Sequence, residues 1–91
     1  MLPDLREQLR LSLLRHLDAN QTRFGQQEIY LLQLVRAEGM PMITREDISN
    51  ELAYLEDKEL AKPIAKLLSP ELRAWKITAA GRDFFAQITH P

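Results

Sequence analysis

Leucine returns every fourth position at the start of the chain. Leu5, Leu9, Leu13 and Leu17 stack along one helical face, Leu11 and Leu14 fall on an adjoining one, and Pro3 suits a first turn, so the pattern predicts a helix over residues 3–19. Its apolar arc is wider than a single stripe, which implies that it lies between two neighbours, or between the core and a second subunit. Asn20-Gln21-Thr22 reads as a loop. The next apolar run, Ile29-Tyr30-Leu31-Leu32-Gln33-Leu34-Val35, fits a buried strand or a helix by periodicity. Length, the lead-in Gln26-Gln27-Glu28 and Gly39 as a stop favour a helix over residues 25–38.

Gly39-Met40-Pro41-Met42-Ile43 is a connector in which Pro41 prevents the helix from continuing. Thr44 is a good N-cap and Asp47 stands at the third helical position, so a third helix is expected over residues 45–57. Ile48, Leu52 and Leu55 then face inward, Glu46, Asn50, Ala53 and Asp57 face outward, and Ser49 and Tyr54 lie at the flanks. Residues 60–67 and 72–78 bracket Ser69-Pro70-Glu71, a turn sequence, and predict a β-hairpin whose first strand is an edge or irregular strand because of Pro63, with a helix over residues 59–68 as the alternative. Trp75 and Ile77 share the inward face of the second strand and Lys76 points the other way. Thr78 caps a last helix over residues 79–89, with Phe84, Phe85 and Ile88 available to close the core against the first helix. The expected fold class is mostly α with a small β-hairpin, an α+β arrangement in one domain spanning residues 1–91.

Composition narrows the chemistry. The 91 residues include no cysteine, which removes disulfides, thiolate metal ligands and a cysteine nucleophile. No basic lead with an apolar run stands at the N-terminus, and no stretch approaches the roughly 20 apolar residues that span a bilayer, so a soluble cytoplasmic protein is expected. A net charge of −1 excludes binding to nucleic acid through bulk positive charge. The charge is unevenly spread, however. Between Thr44 and Leu60 six acids (Glu46, Asp47, Glu51, Glu56, Asp57, Glu59) face two bases (Arg45, Lys58), a balance of −4, whereas residues 61–91 carry five bases and two acids, a balance of +3.

Helix, helix, turn, helix, hairpin, helix is the order of these elements. In that order, the segments Asp47-Ile48-Ser49-Asn50-Glu51-Leu52-Ala53-Tyr54-Leu55-Glu56-Asp57-Lys58-Glu59-Leu60 and Lys76-Ile77-Thr78-Ala79-Ala80-Gly81-Arg82 resemble winged-helix transcriptional regulators over roughly residues 8–88. Size and layout are similar to the small winged-helix proteins of Mu-like phages and prophages, a group whose role the resemblance leaves open. The resemblance implies that the first segment ends a recognition helix and enters a wing, and that the second leaves the wing. Members that bind DNA usually present Arg, Lys, Gln, Ser or Asn from the recognition helix. This chain presents mainly Glu and Asp there.

The resulting expectation is a regulator that holds duplex DNA by the hairpin bases Lys62, Lys66, Arg73 and Lys76 and probes the groove with Arg45, Ser49 and Asn50 at the start of the third helix. Four phosphate contacts correspond to a salt slope of about −3.6. Leu11, Leu14, Ile29 and Leu32 form the expected homodimer seam, in keeping with a palindromic site. The rival expectation is a winged-helix protein-interaction module whose acidic third helix docks to a basic protein partner and whose apolar flank on the first two helices makes the seam. No cofactor, metal or catalytic set is expected: His16 sits among leucines and arginines, His90 is next to the C-terminus, Asp47 and Glu51 lack a third ligand, and Gly25, Gly39 and Gly81 build no phosphate loop.

Overall fold

The computed structural model describes residues 2–64 and 73–89. Four helices and a small antiparallel sheet follow in the order α1 (Pro3–Ala19), β1 (Gln26–Gln27), α2 (Glu28–Ala37), α3 (Arg45–Asp57), β2 (Ala61–Ile64), β3 (Ala74–Ile77) and α4 (Ala79–Thr89). The fold is therefore mostly helical with a three-stranded sheet of order β1-β3-β2. The expected first, third and last helices match the observed bounds. Within the predicted hairpin strands, Ala61–Ile64 and Ala74–Ile77 are strands, and residues 65–72, with Lys66 and the predicted turn, lie outside the described residues.

The second helix is where expectation and structure differ. It begins at Glu28 rather than residue 25, because Gln26 and Gln27 instead pair with Trp75 and Ala74 of β3. Gly25 makes this possible: it has φ +71°, and a Cβ there would stand 2.7 Å from the Trp75 carbonyl oxygen. A two-residue strand is too short to leave a period in the sequence, so only its partner reveals it.

The core gathers one face from each element. Leu9, Leu13, Leu14 and Leu17 of α1 meet Leu31, Leu32 and Val35 of α2 and Ile48, Leu52 and Leu55 of α3. Trp75 and Ile77 close it from the sheet, as their shared register face requires. From α4 only Phe85 packs against this cluster, while Phe84 and Ile88 stay largely outside it.

Three local devices fix the elements that carry charge. Thr44 Oγ1 accepts from the Asp47 backbone N–H (3.2 Å) while the Thr44 N–H donates to Asp47 Oδ2 (2.9 Å), a reciprocal cap that starts α3 at Arg45. The Arg36 Nε–H donates to the Ile43 carbonyl (2.8 Å) and holds the connector against α2. At the foot of the hairpin the Thr78 hydroxyl donates to the Glu59 carbonyl (2.7 Å) and accepts from the Gly81 N–H (2.9 Å), and the Thr78 N–H donates to the Leu60 carbonyl (3.0 Å). Gly81 is buried against that same carbonyl, where an added Cβ would lie 2.0 Å from the Leu60 oxygen. The Thr-Ala-Ala-Gly sequence thus clamps the exit of the hairpin onto its entrance.

Candidate nucleic-acid interface

Lys62 and Lys76 are register partners across β2 and β3. Like charges directly opposite one another weaken a strand pair, so an anion between them would relieve their repulsion. None of the described carboxylates forms an ion pair with either lysine. Instead the two line a cavity of about 340 Å³ shared with Arg23, from the loop between α1 and β1, and Arg82, from the first turn of α4. Among the described residues no acid contributes to its walls. The Arg82 Nη1–H reaches Gln21 Oε1 at 3.4 Å, and the Gln21 amide is itself held by donating to Asp18 O (2.9 Å) and Asp18 Oδ1 (3.1 Å). Arg73, at the other end of β3, is exposed and does not line this cavity.

The surface of α3 is organised differently. Asn50 is exposed, Arg45 is half-buried in the first turn, and Glu46, Ala53 and Asp57 are exposed as expected. Ser49 is committed inward: its hydroxyl donates to Glu28 Oε1 (2.6 Å), and Glu28 Oε2 accepts from Trp75 Nε1–H (2.8 Å). With its one proton engaged, Ser49 has only lone pairs left to offer a ligand. Glu51, one of the six acids counted along this stretch, is buried and receives Arg10 Nε–H at 2.9 Å, with Arg6 Nε 3.3 Å from its other oxygen. The Arg10 guanidinium also stacks over the Tyr54 ring at 3.9 Å. Its hydrogen bond to Glu51 outweighs partial desolvation and raises the Arg10 pKa further above its ordinary value.

Two of the six acids counted around α3 are therefore used within the fold, Asp47 in the cap and Glu51 in the arginine pair, while Glu46, Glu56, Asp57 and Glu59 remain exposed. No residue of α3 lines the basic cavity. The acidic helix and the basic hairpin base are separate sites.

The expected seam divides. Leu14 (0% exposed) and Leu32 (5%) belong to the chain's own core, since the wide apolar arcs of α1 and α2 are consumed by packing against one another, α3 and the sheet. Leu11 (40%) and Ile29 (39%) do remain at the surface. Leu11 borders a shallow groove of about 270 Å³ with Phe84 and Ile88 of α4, and Ile29 lies outside that groove.

Several partners escaped the sequence. Glu38, just beyond α2, receives Ser12 Oγ–H (3.3 Å) and contacts Arg15 and His16. Burial lowers the His16 pKa from its ordinary value, opposed by the Glu38 charge and assisted by Arg15. Arg23 could not be joined to Lys62 without the fold, although Arg82 closes the Thr-Ala-Ala-Gly-Arg segment already singled out. Among the described residues no three His, Cys, Asp or Glu side chains are grouped to share a metal ion, and no helix is long and apolar enough to cross a membrane.

Comparison with protein-family models, with curated proteins and with solved structures finds no match to this chain. The functional reading rests on the geometry above.

Proposed function

We propose that this chain is a winged-helix DNA-binding regulator that holds duplex DNA by its phosphates from the hairpin side. The observation that carries the reading is the facing pair Lys62 and Lys76 in a cavity to which no described acid contributes. A phosphate oxygen between two such ammonium groups relieves their mutual repulsion and releases counterions, the dominant sequence-independent term in DNA affinity. The element order, with a short strand before the second helix and a hairpin following the third, supports the winged-helix assignment.

In this reading Lys62 and Lys76 are the principal phosphate contacts, and Arg73 and Lys66 add to them. Arg45 and Asn50 approach the groove from the first half of α3, with Asn50 suited to adenine. Ser49, its proton given to Glu28, acts as an acceptor from a base amino group. Glu56 and Asp57 at the C-terminal end of α3 repel phosphates, so the helix enters by its N-terminal turn, where Arg45 stands beside Glu46, rather than along its length.

A second reading has its own observation. The exposed groove of Leu11, Phe84 and Ile88 and the outward acids of α3 suit a protein-interaction module, either a homodimer or a complex with a basic protein. Mobility of the protein with a random-sequence duplex at about 50 mM salt separates the two, since DNA-binding proteins retain non-specific affinity there. A retarded complex that disappears in Lys62→Ala/Lys76→Ala supports DNA binding. No complex with any duplex supports the protein module.

A further inference from the structure

The cavity at the hairpin base is more than two wing lysines. Its four cations come from three segments that the fold brings together: Arg23 from the α1–β1 loop, Lys62 and Lys76 from the sheet, and Arg82 from α4. The loop presenting Arg23 is tied by its own hydrogen bonds: Thr22 N–H to Asn20 O (2.9 Å), Gly25 N–H to Thr22 O (3.2 Å) and Thr22 Oγ1–H to Gly25 O (3.2 Å). Gln26 Nε2–H adds a bond to Asn20 O (3.0 Å), joining the loop to β1. Arg82 is aimed by Gln21, which Asp18 holds in turn. Cations projected from restrained positions lose less freedom on binding than cations on a mobile tail. A volume of about 340 Å³ admits one or two phosphate groups, and among the described residues its lining is mainly basic and polar, with Leu17, Ile77 and Ala79 the only apolar side chains.

From this arrangement we infer that the cavity is a discrete phosphate-binding site in which Arg23 and Arg82 complete the set begun by Lys62 and Lys76. The planar guanidinium groups supply paired N–H donors to the phosphate oxygens, and the lysines supply compact charge from the floor. The phosphate is carried either by a nucleic acid backbone or by a free phosphorylated molecule. The inference rests on the proposed role of Lys62 and Lys76 but does not require that the ligand be a duplex. If the ligand is a duplex, the DNA lies over the α1–β1 loop and the start of α4 as well as the hairpin.

The test uses the full chain and inorganic pyrophosphate, followed by two-dimensional NMR of backbone amides and arginine Nε–H groups. Saturable shifts centred on Arg23, Lys62, Lys76 and Arg82 are expected. Arg23→Ala and Arg82→Ala should each weaken pyrophosphate binding about tenfold, the effect of removing a charge-assisted contact. Lys58→Ala, which removes an exposed charge outside the cavity, should leave it unchanged. Shifts that fail to saturate, or an equal loss in Lys58→Ala, overturn the inference, and amide spectra unchanged away from the cavity show that each variant is folded. Adding a 16-base-pair duplex separates the sources. Displacement of pyrophosphate by the duplex supports both the cavity and the DNA reading. Saturable pyrophosphate binding with no duplex binding keeps the cavity and overturns the DNA reading. Duplex binding that is indifferent to both arginine substitutions, with no pyrophosphate binding, overturns the cavity and leaves the DNA reading standing.

Discussion

The α3 surface and the hairpin base are both densely charged, yet their charges have opposite fates. On α3, Asp47 is spent on the helix cap and Glu51 is buried against Arg10 and Arg6, so part of the acidity is structural. At the hairpin base, Lys62, Lys76, Arg23 and Arg82 converge on one cavity to whose walls no described carboxylate contributes. A count of charges along the chain treats these alike. The difference lies in charge partnership: a charge with an internal counter-charge stabilises the fold, and a cluster of one sign with no carboxylate partner among the described residues is held by the fold at some cost and is available to a ligand.

Substitutions that disturb the frame beneath the two sites should have the largest effect. Gly81→Ala forces a Cβ to within 2.0 Å of the Leu60 carbonyl, and urea unfolding should report a loss of about 3 kcal/mol, the scale of overpacking against backbone. A loss near zero would mean that α4 does not clamp the hairpin. Next comes Glu51→Ala, which leaves Arg10 without its carboxylate. Because Arg10 and Arg6 keep access to water, the expected loss is about 2 kcal/mol, below that for a fully buried pair. If Glu51→Ala were as stable as the parent, the distinction between partnered acids and unpartnered cations would collapse.

The opposite sign is expected at the cavity. Replacing Lys62 and Lys76 together by alanine relieves a facing like-charge pair, and chemical unfolding in ligand-free buffer should show stability unchanged or raised by about 0.5 kcal/mol. A clear loss would reveal an internal partner for the lysines and weaken their assignment to a ligand. The smallest effect concerns His16, whose pKa burial lowers. The unfolded chain then takes up this proton at higher pH than the folded one, so the contribution is complete above about pH 6.5 and is lost as pH falls through the lowered folded value. The stability difference between the parent and His16→Gln should accordingly shrink between about pH 7.5 and about pH 5.5. A difference that grows on acidification would mean that the Glu38 charge, not burial, governs this histidine.

The frame was legible because it is local. Four-residue leucine spacing, the Thr44 cap, and the Trp75/Ile77 alternation each express a period or a contact within a few residues, and the structure follows them. The strand β1 was not legible, since two glutamines carry no period and take their form from Trp75 and Ala74 far along the chain. Nor were the buried carboxylates: Glu28 is satisfied by Ser49 and Trp75, and Glu51 by arginines on α1, partners that only packing brings near. The seam was overdrawn for the same reason, with Leu14 and Leu32 consumed by neighbours that the pattern could not count. Lys62 and Lys76 were picked out as bases, but their joining to Arg23 and Arg82 required the fold.

The most direct test of the claim that the hairpin base takes phosphate is the salt dependence of duplex binding, measured for the parent chain and for Lys62→Ala/Lys76→Ala over about 50–200 mM salt. If both lysines contact phosphates, the slope of log affinity against log salt should become shallower by about 1.8, about 0.9 for each contact, with affinity reduced across unrelated sequences. An unchanged slope and unchanged affinity in the double variant would contradict the account.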